Sequence, residues 1–460
     1  MIGPAGCGKT TVIRAVTQRA SELGEAVLLL APTHKARKQF EAEPLPRGTD
    51  KMTIHRFCKV QPWSWRDEDV FAPDSSALAG IVDEVRAKYY LVIVDESSMV
   101  PQGLASAVAE ICRLAGVGLV FAGDPYQLPP VKKEPRTDTE DETDGADVTE
   151  VEPDMAREFI DAPVTATLKR VLRHDGPILN YATSIREEFD CPHTFPAESS
   201  ATKESRISVV ADQAGSFLDH FLLVYQGLAN QQISLPEFYE TAPRALCYMN
   251  STVRALTGYL REGLYGNKAF DSWQPGEVIM FPGYTIAADG VIHSSTDAVI
   301  IDSEIVEIKA PPEEPVRWKT PARGHDRECH LHFSARIQRL TVQLVNPDGS
   351  LSDARRVVHC PLLNDQQAVK DYKELKKNIR AIKPEINSQH RAWKWLKAIK
   401  DMYLTRVTSA FVMTVHKSQG STFQHVYVSR DMLYPDDVRT RNSLLYVAAT
   451  RASKSITFRG

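Results

Sequence analysis

Residues 3–10 read GPAGCGKT and follow the pattern G-x-x-x-x-G-K-T. In this pattern glycines let backbone N–H groups turn inward on phosphate oxygens, and the following helix adds its positive end. Lys9 is placed to reach the β- and γ-phosphates of a nucleotide, and Thr10 to hold Mg²⁺. The stretch predicts a phosphate-binding loop in an α/β layer, formed by Gly3, Pro4, Ala5, Gly6, Cys7, Gly8, Lys9, Thr10 and Thr11.

A phosphate-binding loop normally follows a buried strand, but only Met1 and Ile2 precede this one. These two residues are at best the last pair of such a strand. Loss of a central parallel strand would expose the edges of its neighbours and remove core contacts. We therefore expect that the N-terminal strand is missing and that the chain is incomplete at its N-terminus.

Two further segments supply the polar groups that such a loop requires. Residues 92–99, VIVDESSM, form an apolar strand that ends in two acids. Asp95 is placed to hold the Mg²⁺ shell, and Glu96 to polarise a water for attack on the γ-phosphate. Residues 121–131, FAGDPYQLPPV, end another strand, and Gln127 is placed to contact the γ-phosphate or the attacking water. A proline-rich turn is the alternative interpretation of this last segment.

Length and composition bound the class of protein. At 460 residues the chain is too long for one ordinary core, so two or three domains are expected. The hydrophobic share of 43% and the charged share of 25% are typical of soluble globular proteins. No apolar run is long enough to span a membrane, and the seven cysteines include no CxxC pair. A reducing, cytoplasmic compartment is the expected location.

The distribution of charge matters more than its sum. Residues 132–154 contain ten acids and three bases, a balance of −7 within a chain of net charge −4, which leaves +3 for the remainder. This segment has almost no apolar residues and is typical of a disordered, solvated insertion. The alternative is an acidic mimic that competes with nucleic acid for a basic groove.

Short apolar runs that alternate with helical patterns predict parallel sheets. Such runs occur at residues 26–32, 89–96, 117–124, 244–250, 410–416 and 425–430, and a helix at 442–452 precedes a closing strand. Residues 275–405 differ, because their shorter alternating runs predict a small inserted antiparallel β-barrel. A basic helical stretch, 369–406, ends this region and contains Trp393 and Trp395. Since these two point to different helix faces, at most one of them would stack on a base.

Eight segments carry a resemblance to superfamily 1 helicases, and the last three are similar to the RecD-like branch. In chain order they are GPAGCGKT, APTHKA (31–36), TIH (53–55), VDESSM, GDPYQLPPV, VLR (171–173), TVHKSQGSTF (414–423) and LLYVAATRA (444–452). The resemblance implies two RecA-like domains that bind ATP and Mg²⁺ in the cleft between them. It also implies movement along single-stranded DNA, 5′ to 3′. The domains would be 1–155, then 156–274 with 406–460, and an inserted SH3-like barrel with the basic helical segment at 275–405.

The resemblance assigns further site residues. Arg173 and Arg451 match two arginines that the second domain offers to the γ-phosphate, with Arg170 a close competitor of Arg173. An arginine delivered across a closing cleft stabilises the charge of phosphoryl transfer. Gly420, in the HKSQG turn, would approach the nucleotide. The residues implied to contact DNA are Thr33, His34, Thr53, His55 and His416, and Trp395 of the basic stretch is added as a stacking candidate.

Residues 57–88 stand where relatives carry a strand-separating β-hairpin. Phe71 matches its tip, with Trp63 and Trp65 as alternatives, and packing of these aromatics into a satellite core is equally consistent. The expected partners are single-stranded and fork DNA and a single-stranded-DNA-binding protein, and a monomer is expected. Two other functions stay open. One is a catalytically weak DNA- or replisome-binding protein, and the other is an RNA helicase, which a 2′-hydroxyl dependence would reveal.

Overall fold

The computed structural model describes most of the chain, namely residues 1–40, 44–59, 75–130, 155–173, 175–210, 216–231, 233–287, 290–310, 316–319, 326–329, 332–346, 349–381 and 391–459. The predicted hairpin aromatics Phe71, Trp63 and Trp65 and the acidic segment 132–154 lie outside these residues. Within them, no helix is both long enough and apolar enough to cross a membrane.

Fifteen α-helices and nineteen strands are present in the described residues. The helices are α1 (Lys9–Glu22), α2 (His34–Gln39), α3 (Ile54–Phe57), α4 (Ser75–Lys88), α5 (Gln102–Ala115), α6 (Arg157–Ile160), α7 (Gly176–Glu187), α8 (Ser216–Ala229), α9 (Leu235–Thr241), α10 (Asn250–Tyr265), α11 (Lys268–Asp271), α12 (Gln367–Ala381), α13 (Arg391–Tyr403), α14 (Val415–Ser418) and α15 (Val438–Arg451). The strands are β1 (Val27–Ala31), β2 (Thr49–Thr53), β3 (Leu91–Val94), β4 (Gly118–Phe121), β5 (Ser200–Ala201), β6 (Arg206–Val210), β7 (Arg244–Cys247), β8 (Val278–Phe281), β9 (Thr285–Ala287), β10 (Gly290–Ile292), β11 (Thr296–Lys309), β12 (Val316–Lys319), β13 (Asp326–Cys329), β14 (Ser334–Val345), β15 (Leu351–Pro361), β16 (Thr408–Ser409), β17 (Val412–Thr414), β18 (Phe423–Val428) and β19 (Ala452–Arg459).

These elements form two compact units. The first contains the described residues before Arg254 and after Phe411, and the second contains those from 254 to 411. The first unit holds both parallel sheets, and the second holds the antiparallel insertion. The α/β fold class with two parallel sheets is as predicted.

The first sheet has the strand order β2-β1-β3-β4, and all of its pairings are parallel. β1 is buried along its whole length because helices cover both faces, which explains the uninterrupted apolar run VLLLA. The carboxyl ends of all four strands meet at one edge of the sheet. The motifs after β1, β2, β3 and β4 are therefore brought together there.

Met1 and Ile2 extend the first sheet beyond β4. Ile2 forms parallel bridges with Gly123 on one side and Thr167 on the other. Residues 155–168 belong to the first sheet's layer, because Ala156 and Phe159 are buried in its core.

The predicted hairpin insertion at 57–88 is corrected in part. Residues 75–88 form α4, because Ile81, Val82 and Val85 follow the helical period and pack into the first core. The rest of the prediction, residues 60–74, falls outside the described residues.

The second sheet has the order β17-β7-β18-β19-β6-β5, and only the β5–β6 pair is antiparallel. The predicted strand at 410–416 is shorter than expected. It ends at Thr414, because Val415 already begins α14, and Ala410 bonds instead to Val278 of the insertion. α15 is buried over residues 442–451, which is typical of a helix covered on all sides.

The inserted unit contains a five-stranded antiparallel sheet of order β15-β14-β11-β8-β16, with α12 and α13 packed against it. The compact unit that holds this sheet begins at residue 254. Arg261 of α10 forms a buried ion pair with Glu277 at 2.8 Å and lies 4.4 Å from the Trp273 ring. Gln338 of β14 accepts from the Trp273 backbone N–H at 2.9 Å. These contacts bind α10 and residues 268–277 to the core of the inserted unit.

Candidate functional site

The phosphate-binding loop is closed around the side chain of Lys9. Its ammonium donates to the backbone oxygens of Gly3 at 2.8 Å and Pro4 at 3.0 Å. Gly8 precedes α1 with a φ of 88°, and Gly6 has a φ of 75°, both in the left-handed region that favours glycine. A Cβ at Gly6 would also stand 2.4 Å from the Cβ of Arg173. The loop therefore needs glycine at residue 6 for conformation and for space.

Asp95 and Glu96 follow β3 and face the loop. Asp95 is buried, and its Oδ1 accepts from the Glu96 N–H at 2.9 Å. Burial, and then the charge of Glu96, raise the pKa of Asp95, while the Lys9 ammonium lowers it. A cation beside this carboxylate would stabilise its charged form, which fits the predicted Mg²⁺ shell of Asp95 and Thr10.

Two acceptor atoms at this edge are buried and unsatisfied. Glu96 has a φ of 51°, and its Oε2 has no hydrogen-bond partner in the part of the chain that the structure describes. The same is true of Oε1 of Gln127, a residue that is 2% exposed. Buried acceptors without donors are costly, so each of these oxygens would be stabilised by a donor such as the O–H of a water.

The two candidate arginines lie within electrostatic reach of Glu96. Burial, and then the charge of Arg173, lower the pKa of Arg451 to about 10, and Glu96 opposes this shift. Arg451 is 2% exposed and remains a cation at neutral pH. Desolvation lowers the pKa of Arg173 and Glu96 raises it, although the Arg173 residue as a whole stays exposed. Since the stem of Arg173 packs on Gly6, it is better placed than Arg170.

A buried hydrogen-bond network joins the loop to the second sheet's last helix. The Tyr446 hydroxyl donates to Oδ2 of Asp124 at 2.6 Å and accepts from the Ala5 backbone N–H at 3.1 Å. Nη1 of Arg186 donates to Oδ1 of Asp124 at 2.8 Å and to the Tyr446 oxygen at 3.0 Å. The Arg186 guanidinium also lies 4.4 Å from the ring centroid of Tyr126. Asp124 is fully buried, so its charge depends on this network.

A second contact links the turn after β4 to the HKSQG segment. Nε2 of Gln419 donates to the Leu128 backbone oxygen at 3.3 Å. Gly420, the next residue, has a φ of 75°. This turn begins the loop that leads to Ser421, whose backbone oxygen accepts from Arg451 at 3.1 Å. The turn after β4 and the end of α15 are therefore both joined to the HKSQG segment by hydrogen bonds.

The predicted DNA residues of the first sheet lie on the neighbouring strand ends. Ala31 of β1 and Thr53 of β2 are register partners, so the loops after them are adjacent. Thr33 and Thr53 both accept a helix-capping bond through their hydroxyls, from Ala36 at 3.1 Å and Arg56 at 3.4 Å. Each hydroxyl keeps its O–H to donate. Burial lowers the pKa of His55, which keeps that imidazole neutral.

The two remaining DNA candidates have different surroundings. His416 is the second residue of α14, at the carboxyl edge of the second sheet, and its ring centroid lies 6.3 Å from that of Tyr248. Trp395 of α13 packs against the hydrophobic cluster of the inserted unit, as does Trp393. Both tryptophans are therefore used in packing, which weakens the prediction that one of them stacks on bases.

Comparisons with known proteins match both sheets of the first unit. An AAA domain family matches residues 1–152, and a UvrD-like helicase C-terminal domain family matches residues 409–458. The ATP-dependent DNA helicase dda of Enterobacteria phage T4 is 23% identical over 467 residues, covering 99% of this chain and 93% of that protein. These matches follow the order of the eight motifs. Together they support a superfamily 1 helicase of the Dda and RecD-like kind.

Other relatives of this helicase extend the comparison. The ATP-dependent RecD2 DNA helicase of Deinococcus radiodurans is 31% identical over 131 residues, which cover 28% of this chain and 16% of that protein. An uncharacterized protein, R530, of Acanthamoeba polyphaga mimivirus is 21% identical over 501 residues, which cover 100% of this chain and 94% of that protein. Among solved structures, Pif1 helicase from Candida albicans has a TM-score of 0.47 at 16% identity, covering 100% of this chain and 89% of that one.

Sequence reasoning missed the network around Asp124. Asp124 and Tyr446 stand inside segments that carry the resemblance, but neither is among the predicted site residues. Arg186 lies in α7, outside every motif, and no sequence signal identifies it. The pairing of residues 62 and 322 positions apart becomes visible only when the helicase fold brings them together.

Proposed function

We propose that this ATP-dependent DNA helicase moves along single-stranded DNA in the 5′ to 3′ direction. Hydrolysis of Mg²⁺-bound ATP drives the movement. The observation that carries the proposal is the convergence of Lys9, Glu96 and Arg451 on one edge of the first sheet. The hydrolytic activity is that of an ATPase, and the direction rests on the resemblance to the RecD-like branch.

The residues of this edge divide the hydrolysis between them. Lys9 neutralises the β- and γ-phosphates, while Thr10 and Asp95 hold Mg²⁺, which neutralises charge on the phosphate oxygens. Oε2 of Glu96 takes a proton from the attacking water, and Oε1 of Gln127 orients it. Both oxygens are buried acceptors without a partner among the described residues, and each would be stabilised by a donor such as the O–H of a water.

The arginines connect hydrolysis to movement. Arg451 ends the last helix of the second sheet, and Arg173 lies in the segment that leads to that sheet. They therefore stabilise the charge that develops on the γ-phosphate only when both sheets contact the nucleotide. Hydrolysis removes that charge and lets the sheets separate. Loops bearing Thr33, Thr53 and His416, at the carboxyl edges of the two sheets, hold the DNA backbone and shift with them. The single-strand and fork DNA partners follow from this cycle.

The first test measures ATP hydrolysis with and without poly(dT), for the natural chain and for Lys9→Ala. We expect poly(dT) to stimulate turnover strongly and Lys9→Ala to abolish it. The control Arg113→Ala, an exposed change on α5, should leave turnover unaltered. Turnover that persists in Lys9→Ala would contradict the site. Stimulation by poly(U) equal to that by poly(dT) would favour an RNA substrate instead.

A further inference from the structure

The helices α12 and α13 of the inserted unit are strongly basic. Together they carry nine lysines and arginines against three acids, although the whole chain has a net charge of −4. This concentration lies outside every motif that the nucleotide site uses. Such a concentration of basic residues suits an acidic partner. The structure shows which face of the two helices such a partner would contact.

The inner face of this helix pair is committed to packing. α12 packs on β14 and α13 on β15, around a cluster that contains Ile337, Leu396 and Ile399. All four aromatic residues of the two helices contact the same cluster, namely Tyr372, Trp393, Trp395 and Tyr403. The helices therefore present no aromatic stacking platform on the opposite side.

The outer face carries the charge. On α13 four basic residues recur at every third position and are exposed, namely Arg391, Lys394, Lys397 and Lys400. At 1.5 Å per residue this row is about 13 Å long. α12 adds three exposed basic residues, Lys370, Lys377 and Arg380, with Glu374 the exposed acid among them. We call this outer face of α12 and α13 the basic face.

We propose that the basic face is a second DNA contact that binds the phosphate backbone of duplex DNA. This inference rests on the proposed function. Lysine ammonium groups suit phosphate oxygens, and contacts of this kind position DNA without reading its sequence. Proteins that grip single strands add exposed aromatics for base stacking, which the basic face lacks. A duplex instead presents a dense row of phosphates and no free base faces.

The test measures binding of a blunt duplex and of poly(dT) across salt concentrations for Lys394→Glu/Lys397→Glu. Loss of two phosphate contacts should weaken duplex binding by roughly tenfold or more at low salt and reduce the salt slope by about 2. Binding of poly(dT) and poly(dT)-stimulated ATP hydrolysis should stay unchanged. Lys203→Glu/Lys268→Glu makes the same charge change at two exposed lysines elsewhere and should behave as the natural chain.

Each other outcome has a definite meaning. An unchanged duplex affinity and salt slope would overturn the proposal, and an equal loss for poly(dT) would reassign the basic face to single strands. If charge reversal unfolds the insertion, Lys394→Gln/Lys397→Gln repeats the test by neutralisation, with a smaller but parallel loss expected. Absence of ATP hydrolysis in the natural chain, with lysine-dependent duplex binding intact, would refute the proposed function but not this contact.

Discussion

Glu96 and Gln127 each keep a buried oxygen without a hydrogen-bond partner in the described part of the chain. A folded protein tolerates such atoms where function requires them, because burying an unsatisfied acceptor costs about 1–3 kcal/mol. Glu96 adds a second cost, since its φ of 51° is unusual for a residue with a Cβ. Two independent forms of strain at one residue, beside the phosphate-binding loop, support its role as the base.

The variant Glu96→Gln tests this role. Glutamine keeps the size of the side chain but cannot take a proton, so we expect kcat to fall by about 10²–10⁴-fold. Binding of ATP, measured by fluorescence with a labelled analogue, should be retained because Lys9 is untouched. Glu110→Gln, an exposed change on α5, serves as the control. A kcat within twofold of the natural value would show that another group acts as the base.

Gly6 tests the loop itself. Alanine at this position would be strained at a φ of 75° and would also collide with the Cβ of Arg173. We expect Gly6→Ala to lose measurable ATP binding while the fold survives, since the strain is confined to the loop. The same substitution at Gly80, where a Cβ meets nothing within 4 Å, should leave ATP binding intact. Normal ATP affinity in Gly6→Ala would contradict the loop geometry.

Among the elements, α15 carries two residues of the candidate site. Arg451 at its end reaches toward Glu96, and Tyr446, five residues earlier, bonds to the Ala5 N–H of the phosphate-binding loop. Burial and the Asp124 charge raise the pKa of Tyr446, so its phenol stays a neutral donor. The helix therefore fixes the position of Arg451 relative to the phosphate-binding loop. Tyr446 is a positioning residue in this scheme.

Tyr446→Phe removes only the hydroxyl. We expect KM for ATP to rise by about tenfold, because one hydrogen bond to the loop is lost and Asp124 keeps Arg186 and the Tyr126 backbone N–H but loses its phenol donor. The value of kcat should change less than KM, since the hydroxyl does not reach the γ-phosphate. Tyr434→Phe, at a tyrosine that is 60% exposed, is the matched control. If Tyr446→Phe lowered the free energy of unfolding but left KM for ATP unchanged, Tyr446 would have only a structural role.

The sequence predicts most of these elements, with definite limits. The continuous apolar runs of β1, β3 and β7 identify parallel strands because helices cover both faces of the sheets. The end of the strand at Thr414 could not be predicted, because the apolar run continues into α14 without a residue that breaks the strand. The Asp124 network could not be predicted, because its partners come from three distant segments and meet only through packing.

For the whole molecule, the inserted unit has its own core and its own polar anchor. Arg261→Ala would leave Glu277 buried and unpaired, and the backbone oxygens of Ala269 and Ser272 would lose a donor. We expect the free energy of unfolding of this unit to fall by about 3–5 kcal/mol, measured by urea denaturation. Limited proteolysis should then cut within residues 254–411 first.

Arg339→Ala is the matched control for this prediction. Its ion pair with Glu304 lies in the same unit, but the two side chains are 48% and 49% exposed. Pairs of this kind contribute about 0–1 kcal/mol, so the urea midpoint should hardly move. Equal destabilisation by both variants would mean that the buried Arg261–Glu277 pair is not the anchor of the unit.

Strand separation shows whether this chain unwinds DNA and in which direction it moves. We would measure ATP-dependent release of a labelled strand from duplexes that carry a 5′ tail, a 3′ tail or no tail, with Arg451→Ala beside the natural chain. We expect release from the 5′-tailed duplex alone, dependent on hydrolysable ATP and lost in Arg451→Ala. Release from the 3′-tailed duplex alone would contradict the direction. An absence of release from every duplex would contradict the claim that this chain is a working helicase.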